Sequence, residues 1–167
     1  MLTKTLAILA MVSVPATATV AASGDGVISY DQQDLKMNAA QDEARSHLDG
    51  FLNNVLDENG VGRQGTGVKV AFPVGGESIE VIWVSPFGMR DGQFIGLLAN
   101  EPQNMEGYNA GDTVAFNQDQ VRDWFFYGED GKMYGSYTTR VMLPDMSEDT
   151  AEELSELLSN DPVPSDW

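Results

Sequence analysis

Val68-Lys69-Val70-Ala71-Phe72-Pro73-Val74-Gly75-Gly76-Glu77-Ser78-Ile79-Glu80-Val81-Ile82-Trp83-Val84 is the stretch on which the fold turns. Its period is two. Val68, Val70, Phe72 and Val74 alternate with Lys69, Ala71 and Pro73, and then Ile79, Val81 and Trp83 alternate with Glu80, Ile82 and Val84. Successive side chains of a strand point to opposite faces, so the first run reads as a half-buried strand. The second reads as a strand buried on both faces toward its end. Gly75-Gly76 is a tight-turn signal between them. Pro73 has no N–H to give a ladder, which argues for a strand near a sheet edge.

Further strand signals continue downstream. Arg90-Asp91-Gly92 turns the chain into the β-prone run 93–99, which Asn100-Glu101-Pro102 ends. Gly111-Asp112 leads into Thr113-Val114-Ala115-Phe116, and residues 119–123 read as a short turn. The densest aromatic run, Trp124-Phe125-Phe126-Tyr127, precedes the hairpin signal Glu129-Asp130-Gly131 and a long β-prone stretch, 132–143, closed by Pro144.

Upstream the period changes to that of a helix. Ala44, Leu48, Phe51, Leu52, Val55 and Leu56 recur at spacings of three and four, with charged and amide residues on the other side, predicting one long amphipathic helix over 36–59. At the other end Ser147 can cap a short helix whose first turn holds Glu148 and Asp149 and whose stripe is Ala151, Leu154, Leu157 and Leu158. Residues 161–167, with Pro162 and Pro164, read as a frayed tail. The order is helix, antiparallel strands, helix, without repeats. It predicts an α+β domain over 35–160 with a strongly bent antiparallel sheet of five or six strands, packed by the long helix and closed by the acidic one.

The start of the chain reads differently. Lys4, the apolar run 6–14, Pro15 and small residues through Ala22 follow the three-part plan of a secretory signal. The run is shorter than the roughly 20 residues that a membrane-spanning helix needs. Cleavage is expected after Ala22, with Ala18 as the alternative, and residues 23–34 read as a flexible lead-in. Removing 22 of 167 residues leaves 145, enough for one domain with a real core. The expected mature protein is periplasmic or secreted, with no stable membrane insertion. The chain contains no cysteine, so neither disulfides nor thiolate metal sites can hold the fold together, and packing must.

A net charge of −17 repels phosphate backbones and excludes nucleic acid as a natural partner. Residues 145–167 hold eight acids and neither Lys nor Arg. Such a run usually does no more than solvate a helical face; its functional alternative is a docking surface for a basic protein partner.

From about Lys36 to Leu143 the order of features resembles the YegJ-like bacterial family, domain of unknown function 2314. The residues that carry the resemblance are Glu80 to Trp83, Gly92 to Asn100 with Pro102, the run from Gly111 to Phe116, Asp123-Trp124, and Gly135 with Tyr137-Thr138-Thr139-Arg140. The strand with Trp83 is the loosest fit, since the family favours a polar pair before that tryptophan. The resemblance implies boundaries and a fold, and no catalytic residues.

The chemistry-bearing candidates are few. His47 is the single histidine and lies between the polar and apolar faces of its helix, so a boundary role is expected for it. One histidine and no cysteine leave only carboxylates for a metal, and no metal or other cofactor is expected. Asp57-Glu58-Asn59-Gly60 begins like a calcium loop, but Val68 stands where the bidentate glutamate is required. Asp112 is expected to satisfy backbone N–H groups in its turn. Asp123, beside large aromatics, should be partly buried and need a partner such as Arg140 or Arg122.

If Asp112, Asp123, Trp124, Tyr137, Thr138 and Arg140 shared one groove, they could bind a polar ligand or a partner. The two acids could then serve a carboxylate-based hydrolase acting on a cell-envelope glycan or peptide. The aromatics at 83 and 124–127 exceed what one sheet face buries, and the two helices are expected to cover both faces. On balance the leading expectation is a binding or protein-interaction module, of the inhibitor or immunity kind.

Overall fold

The computed structural model describes residues 35–165 and 167. The signal and lead-in expected over 1–34 lie outside the described residues.

The architecture is α+β. Two helices, α1 (Leu35–Ser46) and α2 (Leu48–Val55), are followed by strands β1 (Thr66–Gly75), β2 (Ser78–Arg90), β3 (Gln93–Leu98), β4 (Thr113–Phe116), β5 (Val121–Tyr127) and β6 (Met133–Gly135). The short α3 (Tyr137–Met142) and then α4 (Glu148–Leu157) complete the order. The strands form one antiparallel sheet in the order β4-β3-β2-β1-β5-β6. It is not strongly curled, which corrects the expected strong bend. Its short edge strands, β4 and β6, stay unpaired with each other, so the sheet is an open layer under the helices.

The single long helix expected over 36–59 is two helices. The Ser46 hydroxyl donates to the Glu43 carbonyl at 2.7 Å, offering that carbonyl a partner other than the next helical amide, and His47 leaves helical geometry at φ −101°, ψ 2°. α2 also stops at Val55, because the Asp57 carboxylate gathers the amides of Asn59 and Val61 into a turn. The apolar stripe survives the break, with Ala44, Leu48, Phe51 and Val55 all nearly inaccessible to solvent.

Pro73 belongs to β1, which lies inside the sheet. The proline is tolerated because β5 pairs with β1 only from Thr66 to Val70, leaving the Pro73 end of β1 without a neighbour on that side. The register of β1 and β5 shifts between Lys69 and Val70, and Arg122 is the extra residue. This bulge turns Val121 and Trp124, three positions apart, onto the same buried face. The predicted turn over 119–123 shrinks to a 3-10 turn at Gln118–Gln120, and Asp123 lies within a strand.

The core sits between α1, α2 and one face of the sheet. Trp124 is fully buried, stacks on Phe51 with centroids 4.7 Å apart, and donates its indole N–H to the Ala44 carbonyl at 2.7 Å. Among the described residues the other helices leave most of the second face open: α3 covers it only where Thr138 meets Lys69 and Asp123, α4 has no buried residue, and the bridge between Leu158 and Met133 sets the end of α4 beside the β6 edge. This overturns the expectation that helices cover both faces.

Two more expectations fail near the end of the chain. The long strand predicted over 132–143 is only three residues, because Gly135 and Ser136 both adopt positive φ (72° and 53°) and swing the chain into α3. Gly135 has no alternative: a Cβ there would come 2.2 Å from the Trp124 carbonyl oxygen. The segment expected to fray is instead packed. Val163 lies against the core, the Pro162 carbonyl accepts from the Gly135 amide at 2.8 Å, and Trp167 stacks on Phe126 at 4.8 Å. Its apolar side chains find aromatic surface left uncovered by α1 and α2.

Candidate functional site

β1 and β5 set Lys69 directly opposite Asp123, on the sheet face away from Val68 and Trp124. At the same level the turn through Ser136 delivers the first residues of α3. Asp123 is fully buried and accepts four hydrogen bonds. Its Oδ1 takes the amides of Trp124 (2.8 Å) and Tyr137 (3.1 Å), and its Oδ2 takes the amide and hydroxyl of Thr138 (2.8 and 2.6 Å). Lys69 Nζ donates to the same Thr138 hydroxyl at 3.1 Å. An ammonium is a donor only, so the direction of the chain is set: Lys69 donates to Thr138, and Thr138 donates to Asp123.

The electrostatics follow from burial. Loss of water pushes the Asp123 carboxyl up from its ordinary value, against the opposing pull of the hydrogen bonds from Thr138 and Trp124 and of the Lys69 charge. Burial likewise lowers the Lys69 ammonium, with Asp123 acting in the opposite sense. The Tyr137 hydroxyl is raised to about 12, first by burial and then by the negative charges of Glu43 and Asp123. Neither that hydroxyl nor the buried Ser136 hydroxyl has a hydrogen-bond partner among the described residues.

Four of the six candidate residues come together here. Asp123, Trp124, Tyr137 and Thr138 form one cluster, with the Tyr137 ring edge-on to Trp124 at 5.6 Å and stacked on His47 at 6.3 Å. His47 is half-buried at the helix boundary and reaches Glu43 at 3.3 Å. Arg140 is close, yet it is not the partner of Asp123. Its guanidinium donates to the carbonyls of Gly135 and Ser159 (both 2.9 Å), and Arg122 turns back to the carbonyl of Asp119. The expected arginine–aspartate pair is replaced by backbone amides, a threonine and a lysine, because the bulge points Asp123 at the start of α3.

Asp112 is elsewhere. Its carboxylate accepts the Asn109 amide at 2.7 Å, the turn role expected of it. Three strands separate β4 from β5. At ~4.8 Å per strand the spacing is about 19 Å, too far for a paired-acid mechanism, so the hydrolase alternative loses its geometry. Asp123 and Thr138 are also closed to solvent, at 0% and 1% exposure. The cluster therefore acts as a clamp that fastens α3 to the sheet. Among the described residues no three His, Cys, Asp or Glu side chains are placed to hold a metal ion, and no helix is long and apolar enough to cross a membrane.

The accessible chemistry lies on the face that bears Lys69. Gly67 has no side chain, and the Phe125 ring lies across it so closely that a Cβ would come within 2.4 Å of the ring. This lets Phe125 reach Trp83 edge-on at 5.2 Å, while the Lys69 ammonium sits 5.3 Å over the Trp83 ring. Around them Ile79, Val81, Ile95 and Tyr127 remain 36–47% exposed. The alternation of 79, 81 and 83 was legible in the sequence. Lys69 was not, since a single cation on a strand says nothing about its neighbour across the sheet.

The model of a family described as an uncharacterized protein conserved in bacteria (DUF2314) matches residues 34–159. Over 138 residues the chain is 31% identical to a putative ankyrin repeat protein of Neisseria meningitidis serogroup B, covering 78% of this chain and 54% of that protein. Over 125 residues it is 27% identical to the uncharacterized protein YegJ of Escherichia coli K12, covering 75% and 77% respectively. The chain thus spans about half the length of the Neisseria relative. No solved structure matches.

Proposed function

The chain belongs to the DUF2314 family of bacterial proteins, and on that premise we propose that it is an exported protein-interaction module that holds a protein partner on the open face of its sheet. One observation carries this reading. Trp83, Phe125, Tyr127, Val81, Ile79 and Ile95 present apolar surface on a face that, among the described residues, a helix covers only at the α3 contact with Lys69 and Asp123, and no described strand position of that face carries an exposed carboxylate in a chain of net charge −17. Asp123 is buried there, and the other charged strand positions, Lys69 and Arg90, are cationic.

A contiguous apolar patch cleared of like charge suits an interface, where aromatic residues supply anchors and repulsion is kept to the rim. The fitting partner surface is apolar and neutral or mildly acidic. A basic partner would instead use the exposed side of α4. The Neisseria relative named as an ankyrin repeat protein supports an interaction role, because such repeats build extended binding surfaces. The charged, apolar and small-residue order of residues 1–22 supports export.

The test is differential capture from a cell-envelope extract, with the immobilised wild type compared with a Val81→Lys/Tyr127→Ser variant of unchanged stability. A partner held stoichiometrically by the wild type and lost from the variant is expected; equal capture by both sinks the reading. Cell fractionation with N-terminal sequencing checks export. Ser23 is the expected first residue, and an intact chain in the cytoplasm overturns that part.

A further inference from the structure

The family match ends at Ser159, and residues on both sides of that boundary pack against the sheet. They extend the sheet and then fill an aromatic cleft. Leu158 bridges Met133 in parallel, the Ser159 amide donates to the Met133 carbonyl at 3.0 Å, and the Gly135 amide donates to the Pro162 carbonyl at 2.8 Å. The segment lies along the β6 edge as an added strand would. Trp167 then stacks on Phe126 at 4.8 Å and 12°, and on Trp124 at 6.1 Å and 26°.

Two features mark this as recognition of a separable segment. Backbone pairing at a sheet edge plus one aromatic anchor is a recurring way for a domain to bind an extended peptide. Charge also fits. In a strongly acidic chain, Arg63 lies 4.9 Å over the Phe126 ring, Arg140 holds the Ser159 carbonyl, and Lys132 holds the Glu156 carbonyl. These are three of the chain's nine Lys and Arg residues, and Asp161 lies within electrostatic reach of Arg140.

We propose that the β6 edge and the Phe126 cleft form a peptide-binding site for an extended acidic segment carrying a tryptophan, filled in cis through Pro162, Val163 and Trp167. The occupant in trans is the same segment of a second copy of this chain. Cis occupancy protects the site, because a tethered segment acts at an effective concentration of roughly millimolar. This surface is separate from the open face, so the two readings stand or fall independently.

The test uses a fluorescent synthetic peptide of residues 160–167 titrated into the chain truncated after Asn160, into the full chain, and, as control, a peptide with Trp167→Ala. Saturable binding to the truncated chain is expected, weakened roughly tenfold or more on the full chain and likewise for the control peptide. Amide NMR shifts should move at Met133–Gly135 and Phe126, not at Val81. No binding up to millimolar peptide, equal binding of the control peptide, or shifts confined to the open face would overturn the proposal. If the truncated chain loses its circular dichroism, the full chain carrying Trp167→Ala takes its place under the same criteria.

Discussion

The two faces of the sheet are built from the same strands and have opposite fates. On the covered face, Val68, Val70, Val84, Phe116 and Trp124 are at most 1% exposed beneath α1 and α2. On the other, Ile79, Val81, Ile95 and Tyr127 keep more than a third of their surface in water, with Trp83 and Phe125 half-buried between them. An antiparallel sheet needs cover on only one side to fold, so apolar residues on the second side are not explained by stability. Under the proposed function they are the surface that meets a partner. The Asp123–Thr138–Lys69 clamp is the exception on that face: a buried polar cluster whose cost is offset by four donors around one carboxylate.

The sharpest way to break the comparison is Trp124→Ala. It removes the largest fully buried side chain and the bond to Ala44, and is expected to cost about 4 kcal/mol in denaturant unfolding. A loss below 1 kcal/mol would mean that the covered face is not the core. Next is Asp123→Ala, which leaves four donors without their acceptor; about 3 kcal/mol is expected, with amide exchange accelerated across Tyr137–Met142.

The clamp also has a pH signature. Because burial raises the folded-state pKa of Asp123 above 3.8, its contribution to stability is complete below that value and declines as pH rises through the folded pKa. Unfolding free energies measured from pH 3 upward should therefore show the wild type losing ground to Asp123→Asn; parallel curves would contradict the assignment. The smallest effect belongs to the open face. Val81→Thr should change stability by no more than about 0.5 kcal/mol, against about 2 kcal/mol for Val70→Thr, where the hydroxyl has no partner. Similar costs at the two sites would erase the difference between the faces.

Much of this fold is legible along the chain because its signals are local. The alternation from Val68 to Trp83, the Gly75-Gly76 turn and the cap at Ser147 each act within a few residues, and each appears where the pattern puts it; Ser147 accepts from the Thr150 amide. The misses are tertiary. Residues 132–143 are β-prone by composition, yet Gly135 and Ser136 turn away, because a strand continuing past Gly135 would leave Asp123 with unpaired acceptors and the core without the Tyr137 ring. Trp167 looks like a loose end until Phe126 is beside it. Lys69 reads as a solvated strand position until the register places it opposite Asp123.

By itself the sequence determined the helix-then-strands order, the antiparallel sheet, the apolar stripe that packs on it and the family to which the chain belongs. These depend on periodicity and turn chemistry, which are properties of neighbouring residues. Only the tertiary structure decided which sheet face is covered, which partner Asp123 takes, and that Asp112 stands apart from it. Those depend on strand order and on a one-residue bulge at Arg122, and both bring together residues that no local pattern relates.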